Sequence, residues 1–505
     1  MGARGFCLLA VAAGLYAVSG CAMHSLTATP AGSAEPPATR VHAAPASTQS
    51  AASTDAGPEA SGPIASQPKQ RPETAAEIRL TAFADDQAPA AASPATPAPA
   101  ASGMTLAEIE KLALDNNPTI RQLSASITKA RGYRGQVGLK PNPTIGYFGS
   151  QIADAGTDQH GAFISQEFVT GGKLDQNRRV LDRTLQAQLW DFETQKQRVL
   201  TDVRVQFYEA LAAQRRIELT DQFHEVTVKG VEVSRRRREA QETSVVDLLQ
   251  AEVQMSEIDV ARQQARVAFK GAMQQLAAVS GTGELPQQTL SGDLKQPVAD
   301  MNWDSVLQNL LQSSPELQAA RFRVSAAQAL QRRQQQQAIP NLQTEFGAGA
   351  DNATGEGLIN VTVGVPVPVF NRNTGNISAA YGEYSRAVHE VSRIEASIKS
   401  RLAEARQNFD AAAVAVQQYE DEILPRTAQT LELSERAFSA GEFDFLQVLI
   451  VRRTYFESNL KYVDSLAALA QARSQIDGLL LTGALDAPAD QSGDDGLRGQ
   501  TFSQQ

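Results

Sequence analysis

Cysteine is almost missing from this sequence: Cys7 and Cys21 are the only two, and both lie at its very start. No cysteine pair is left for a folded body, which excludes disulfides and soft thiolate metal sites there. Aromatic residues are scarce at 6 %, which argues against a thick globular core and suits long helices rich in Ala and Gln. Histidine occurs five times, at His24, His42, His160, His224 and His389, and no two share metal-ligand spacing. His160 is expected in a solvated outer loop. Positive charge is not in excess: the formal net charge is −10, and no basic domain stands out, so nucleic acid is not an expected partner. No glycine loop suits a phosphate and no nucleophile motif occurs, so no enzyme is expected.

The first residues, "MGARGFCLLAVAAGLYAVSGCAMHS", place Arg4 before a short apolar run. That run is too short for a stable membrane anchor and reads as an export signal over 1–20. Val18-Ser19-Gly20-Cys21 resembles the cleavage box of bacterial lipoproteins, which implies covalent lipid on Cys21; an ordinary signal peptide with a chance cysteine is the alternative. Ala22 follows, not the Asp that commonly retains such proteins in the inner membrane. Residues 21–103 are rich in Ala, Pro, Ser and Thr and read as a disordered tether, because they bury too little apolar surface to offset ordering entropy. Residues 484–505 read as a disordered tail.

Between tether and tail the chain repeats itself. "LALDNNPTIRQL" resembles "NLLQSSPELQAA", with Pro118 and Pro315 197 residues apart, and Pro143 and Pro340 keep that spacing. "AQETSVVDLL" and "AGEFDFLQVL" are 200 apart. The body therefore divides into two repeats, 104–285 and 286–483. Each opens with a short helix, capped by Thr105 with Glu108 or by Asn302. Each continues through Asn117-Pro118 or Ser314-Pro315 into a helix of about twenty residues.

Four segments then alternate with period two: "TIGYFGSQI", "GAFISQEFV", "NLQTEFGAGA" and "LINVTVGVPV". Alternation is clearest in the last, with Ile359, Val361, Val363 and Val365 against Asn360, Thr362 and Gly364. Each is near the length of a tilted membrane-spanning strand, yet four strands close no barrel and open edges are not tolerated in lipid. Several copies must therefore pool their strands. Pro366 and Pro368 lack N–H donors and end the ladder, and the chain turns through Asn371–Gly375 into a helix. Gly171-Gly172 serve the same turn in the first half. The helices that follow are long: 174–234 contains no proline, which at ~1.5 Å per residue gives a rod of ~90 Å. A narrow stripe through Leu181, Leu185, Leu189, Val199, Val203, Phe207 and Leu211 suits helix-on-helix contact. Segments 246–279, 376–424 and 446–480 behave likewise, and Pro425 should bend or break its helix. "SRRRRE" (234–239) reads as a solvated helix face that an acidic partner could also use, and "RRQQQQ" (332–337) as plain helix surface.

Residues 103–483 resemble the outer-membrane factors of tripartite efflux systems, the TolC-like channels. "VPVPVFNRNTGNISAA", through Pro366, Pro368, Phe370, Asn371, Arg372, Asn373 and Gly375, looks like the strand-to-helix junction of the heavy-metal branch serving cobalt, zinc and cadmium efflux. "FSAGEFDFLQVLIVRRTYFE" resembles the periplasmic tip of the family. The resemblance implies a mainly α fold with a small membrane β part: duplicated long-helix hairpins forming a trimeric α-barrel above which twelve shared strands close a β-barrel. It implies a homotrimer in outer-membrane lipid, a periplasmic adaptor docking at the tips, and an inner-membrane pump. The tip residues are then Ala240, Gln241, Glu242 and Asp247, with Ala440, Gly441, Glu442 and Gln447. Gln447 stands where the family commonly has Asp, so a closing carboxylate ring is supported by Asp247 alone, and Gln241 must turn without glycine. The expected role is a passive exit duct, without cofactor apart from the lipid, for divalent metal cations. Export of organic compounds or peptides by the same fold, and a lipid-tethered coiled-coil scaffold without a pore, are the rival readings.

Overall fold

A computed structural model describes residues 103–153, 156–241, 243–286, 289–295, 301–493 and 496–497. The signal, the tether with Cys21, and Glu242 lie outside the described residues. The first repeat runs β1 (Met104–Thr105), α1 (Leu106–Asn116), α2 (Pro118–Gln136), β2 (Thr144–Ser150), β3 (Gln159–Phe168), α3 (Lys173–Glu239) and α4 (Val245–Val279). The second runs β4 (Leu290–Ser291), α5 (Trp303–Ser313), α6 (Pro315–Gln337), β5 (Leu342–Asp351), β6 (Glu356–Gly364), α7 (Thr374–Gln418), a π-helical turn (Tyr419–Ile423), α8 (Leu424–Ser439) and α9 (Phe445–Asp477).

The expected caps form. Thr105 accepts from the Glu108 N–H while the Glu108 carboxylate accepts from the Thr105 N–H, so two orphan donors are satisfied together. Asn302 caps α5, and Asn117 and Ser314 cap helices whose first residue is proline. The two-residue pair β1–β4 was not legible in the sequence, because so short a strand has no period. It is parallel, Met104 opposite Leu290, and ties the start of the first repeat to the start of the second. Gly103 allows this: a Cβ there would stand 2.5 Å from the Thr289 carbonyl oxygen.

The main core lies midway along the long helices. There Ile109, Phe207, Leu276, Leu310, Leu317, Ile398 and Phe409 pack together, with Trp303 edge-on to Phe409. Helix α3 has 67 residues, about 100 Å, and is unbroken. Its counterpart, expected to bend or break at Pro425, does not break there. Proline cannot donate to the Asp421 carbonyl, and the helix absorbs this one turn earlier by widening: Leu424 N–H bonds to Tyr419 O, five residues back.

Two further expectations are corrected. Residues 484–493 and 496–497 are not a loose tail: Ala484, Ser492 and Leu497 are buried against the body. The "RRQQQQ" run is not plain surface, since Arg333, Gln334 and Gln337 are buried where α6 crosses α3.

Candidate functional site: sheet, junction, tips and exposed faces

The four strands form one antiparallel sheet in the order β2-β3-β5-β6, which leaves β2 and β6 as open edges. Register places Ile145, Ile164, Phe346 and Val361 in one row across all four strands, and every one is exposed. The next row is Tyr147, Ala162, Ala348 and Ile359. The opposite face carries Thr144, Ser165, Glu345 and Thr362, then Gly146, Phe163, Gly347 and Asn360. The weak alternation of the first hairpin now has a cause. Phe163 and Phe148 point to the polar face and lie over glycines: a Cβ on Gly146 would meet the Phe163 ring, and one on Gly161 the Phe148 ring. His160 is in β3 rather than in a loop, bonded to Asp158 and Tyr147.

The ladder of β6 stops at Gly364, before Pro366 and Pro368, as proline's missing donor demands. Val365, Val367 and Val369 stay exposed, and Phe370 is 100 % exposed. Asn371 accepts from the Asn373 N–H at 3.0 Å, and Asn373 caps α7 with φ +60°. In the first repeat Gly172 caps α3 with φ +65°. Asn is a side chain that tolerates this left-handed conformation, and here its amide also donates to the Gln334 carbonyl at 2.8 Å. Arg372 and Gly375 are exposed beside it.

Beneath the sheet the structure buries a group of polar residues that sequence reasoning missed. Lys173, 1 % exposed, donates to Asn341 Oδ1 at 2.8 Å, and Asn341 Nδ2 donates to Glu167 Oε1 at 2.8 Å. Arg333, wholly buried, donates to Asn177 Oδ1 at 2.6 Å. Burial, and next the neighbouring Arg333 charge, push Lys173 down to about 8, while burial pushes Arg333 down to about 10. These bonds join the ends of β3 and β5 to α3 and α6, so they set how the sheet sits on the helices.

At the far end of the long helices lie the two tips. Ala440 and Gly441 close the α8–α9 turn, with Gly441 at φ +80° and the Glu442 N–H bonded to Ala437 O at 2.9 Å. Ala240 and Gln241 close the α3–α4 turn, and Gln241 takes φ +60° without being glycine. Asp247 and Gln447 turn out to be equivalent capping residues. Asp247 accepts from the Ser244 N–H at 3.1 Å and Thr243 Oγ1 at 2.6 Å; Gln447 accepts from the Asp444 N–H at 3.2 Å. An amide oxygen caps as a carboxylate does, so the substitution leaves the fold of the tip intact. The Arg237 guanidinium stands 4.8 Å from the Phe438 ring centre, which brings the two tips side by side. Junction and tips are separated by the whole length of α3.

Helix α4 has two apolar faces. Ala251, Ile258, Ala265 and Ala272 recur every seven residues and are buried in the protomer. Val246, Val253, Val260 and Val267 also recur every seven, nearly opposite, and are 55–73 % exposed. The second heptad was readable in the sequence and was missed. Among the described residues no cluster of His, Cys, Asp and Glu suits a metal ion, and no helix is long and apolar enough to cross a membrane.

Comparison with known proteins decides the family. Residues 110–282 and 306–480 both match the outer membrane efflux protein family, one match per repeat. This chain belongs to that family. Proteins of this family are efflux channels of the outer membrane, not enzymes. The chain is 24 % identical over 377 residues to the cobalt-zinc-cadmium resistance protein CzcC of Cupriavidus metallidurans, covering 75 % of this chain and 90 % of that protein. Its fold is similar to a membrane protein from Pseudomonas aeruginosa, with TM-score 0.65 and 18 % identity over 78 % of this chain and 99 % of the other. It is also similar to the transmembrane channel CusC, with TM-score 0.63 and 17 % identity over 75 % and 92 %. The two family matches span the duplicated hairpins and the four-stranded sheet.

Proposed function

We propose that three copies of this chain pool their strands into one twelve-stranded barrel in the outer membrane and their helices into one tunnel, forming the exit duct of a tripartite pump for divalent heavy-metal cations. The observation that carries this reading is the sheet, apolar and exposed on one face, polar on the other, and open at β2 and β6. Unpaired edges are prohibitive in hydrocarbon, and pairing β6 of one copy with β2 of the next removes them. The valine heptad on α4 supports the same assembly, because it offers a second copy a coiled-coil seam.

The cargo assignment draws on two things. CzcC is a cobalt-zinc-cadmium resistance protein. The polar face of the sheet carries Glu167, Glu345, Asp351 and Glu356, while the four strands hold no Lys or Arg. Such a face attracts cations, though salt screens it beyond about 8 Å at physiological ionic strength. The duct itself does no chemistry; an inner-membrane pump supplies the energy, and an adaptor docks at the tips around Gln241 and Gly441. Cys21 carries the lipid, as its cleavage box implies.

Planar-bilayer recording of purified protein should give discrete conductances from trimers, whereas a coiled-coil scaffold gives no current. Deletion of the gene should sensitise cells to zinc, cobalt and cadmium. Sensitivity to organic drugs alone would transfer the assignment to the organic exporter. Labelled palmitate should be incorporated by the wild type and not by Cys21→Ser.

A further inference from the structure

The C-terminal segment makes a run of specific contacts that the channel reading does not use. It begins at an unusual turn: after α9, Leu479 and Leu480 both take φ +59°, a left-handed conformation that β-carbon sterics disfavour outside glycine. Such strain persists only where surrounding packing over-determines it. Here Leu480 and Leu481 are buried, the Leu480 N–H bonds to Gln475 O at 2.8 Å, and Arg401 donates to Leu480 O at 3.0 Å.

The chain then climbs α2. The N–H groups of Gly483 and Ala484 donate to Asp202 at 3.0 and 2.7 Å. The Ala484 carbonyl accepts from Thr119 Oγ1 and Gln195 Nε2, both at 2.9 Å. Lys129 holds Asp490 at 2.6 Å. Leu497, 1 % exposed, closes into a small separate core of Val137, Val180 and Leu181 at the top of α2 and α3. Positions 484, 490 and 497 thus meet 119, 129 and 137 in order.

We infer that residues 479–493, with 496–497, are a built-in strap that clamps α2 onto α3 beneath the sheet. Three features favour this over incidental packing. The contacts run the length of α2, at 119, 129 and 137, and at the same time touch α3 at Asp202, Gln195, Val180 and Leu181. They alternate polar latches with an apolar terminal anchor. They start from a strained turn that an idle tail has no reason to retain. The Lys129 hydrogen bond, followed by the Ser492 side-chain and backbone bonds, holds the Asp490 carboxyl at about 2, so the polar latch stays ionised from neutral pH down to about that value.

Hydrogen–deuterium exchange on the full-length chain in detergent tests the strap directly. It needs neither trimer nor transport, so its outcome is separate from that of the channel reading. In Leu497→Asp, and in a chain ending at Asp486, amides of residues 123–137 should exchange about tenfold faster, while those of α4 stay at wild-type rates. Leu497→Ala should give a smaller rise in the same residues. Unchanged exchange over 123–137 in all three variants overturns the inference, and so does an equal rise throughout α4, which would make the segment a general stabiliser and not a local clamp.

Discussion

Gln241 and Gly441 hold the same place in the two tips, and only one of them is the residue that the backbone favours. A side chain at φ +60° costs roughly 1–2 kcal/mol relative to the right-handed region, a cost that glycine escapes. Gln241→Gly should therefore stabilise the first tip by about 1 kcal/mol, and Gly441→Ala should weaken the second by a similar amount. Amide exchange over 236–246 and 436–446 would read both changes; equal rates in wild type and mutants would remove strain from the account. Lys173 gives a pH signature. Its folded value, about 8, lies below the ordinary 10.5, so between these limits the unfolded chain binds more protons than the folded one. Stability must then rise as pH climbs from about 8 to 10.5, the penalty being fully present below that window. Thermal unfolding in detergent should show this rise, and Lys173→Gln should flatten it.

At the scale of elements, the two long arms differ by one turn. Helix α3 runs straight past the position where its counterpart contains the π-helical turn and Pro425. That turn presents Glu420 to Lys295 and to the Tyr462 hydroxyl, 3.3 Å away, and so fastens the segment between the repeats to the second arm. Pro425→Ala restores the missing donor. The expected result is slower amide exchange over 419–428 as the turn anneals to α-helix. It should also weaken the Lys295 contact, because one residue of register rotates Glu420 by about 100°. Wild-type exchange in the mutant would mean that the π turn is held by its contacts and not by proline. The tail belongs to this scale too: its composition concealed a strap, because the contacts that order it come from α2 and α3, 281–365 residues away in the chain.

For the whole molecule, a single chain leaves two surfaces uncovered. Its sheet has two open edges, and α4 shows solvent a row of valines at seven-residue spacing. Val253→Glu with Val260→Glu places charge in the proposed seam without touching the buried Ala251–Ile258–Ala265 face. Helix content by circular dichroism should be retained and trimers should fall to monomers by native mass spectrometry. Trimers that survive this pair would move the seam to another helix.

The sequence by itself determined the repeat, the caps, the strand–proline–helix junction and the length of the first rod. These depend on local rules: backbone donors, periodicity and the missing N–H of proline act within a few residues. It reached the family through the junction motif for the same reason. What only the tertiary structure decided was which polar side chains are buried and what they hold. Lys173, Arg333, Asn341 and Asn177 look like surface residues when read singly, and meet because α3, α6 and the strand ends converge there. Burial is set by neighbours distant in the chain, and no local pattern encodes it.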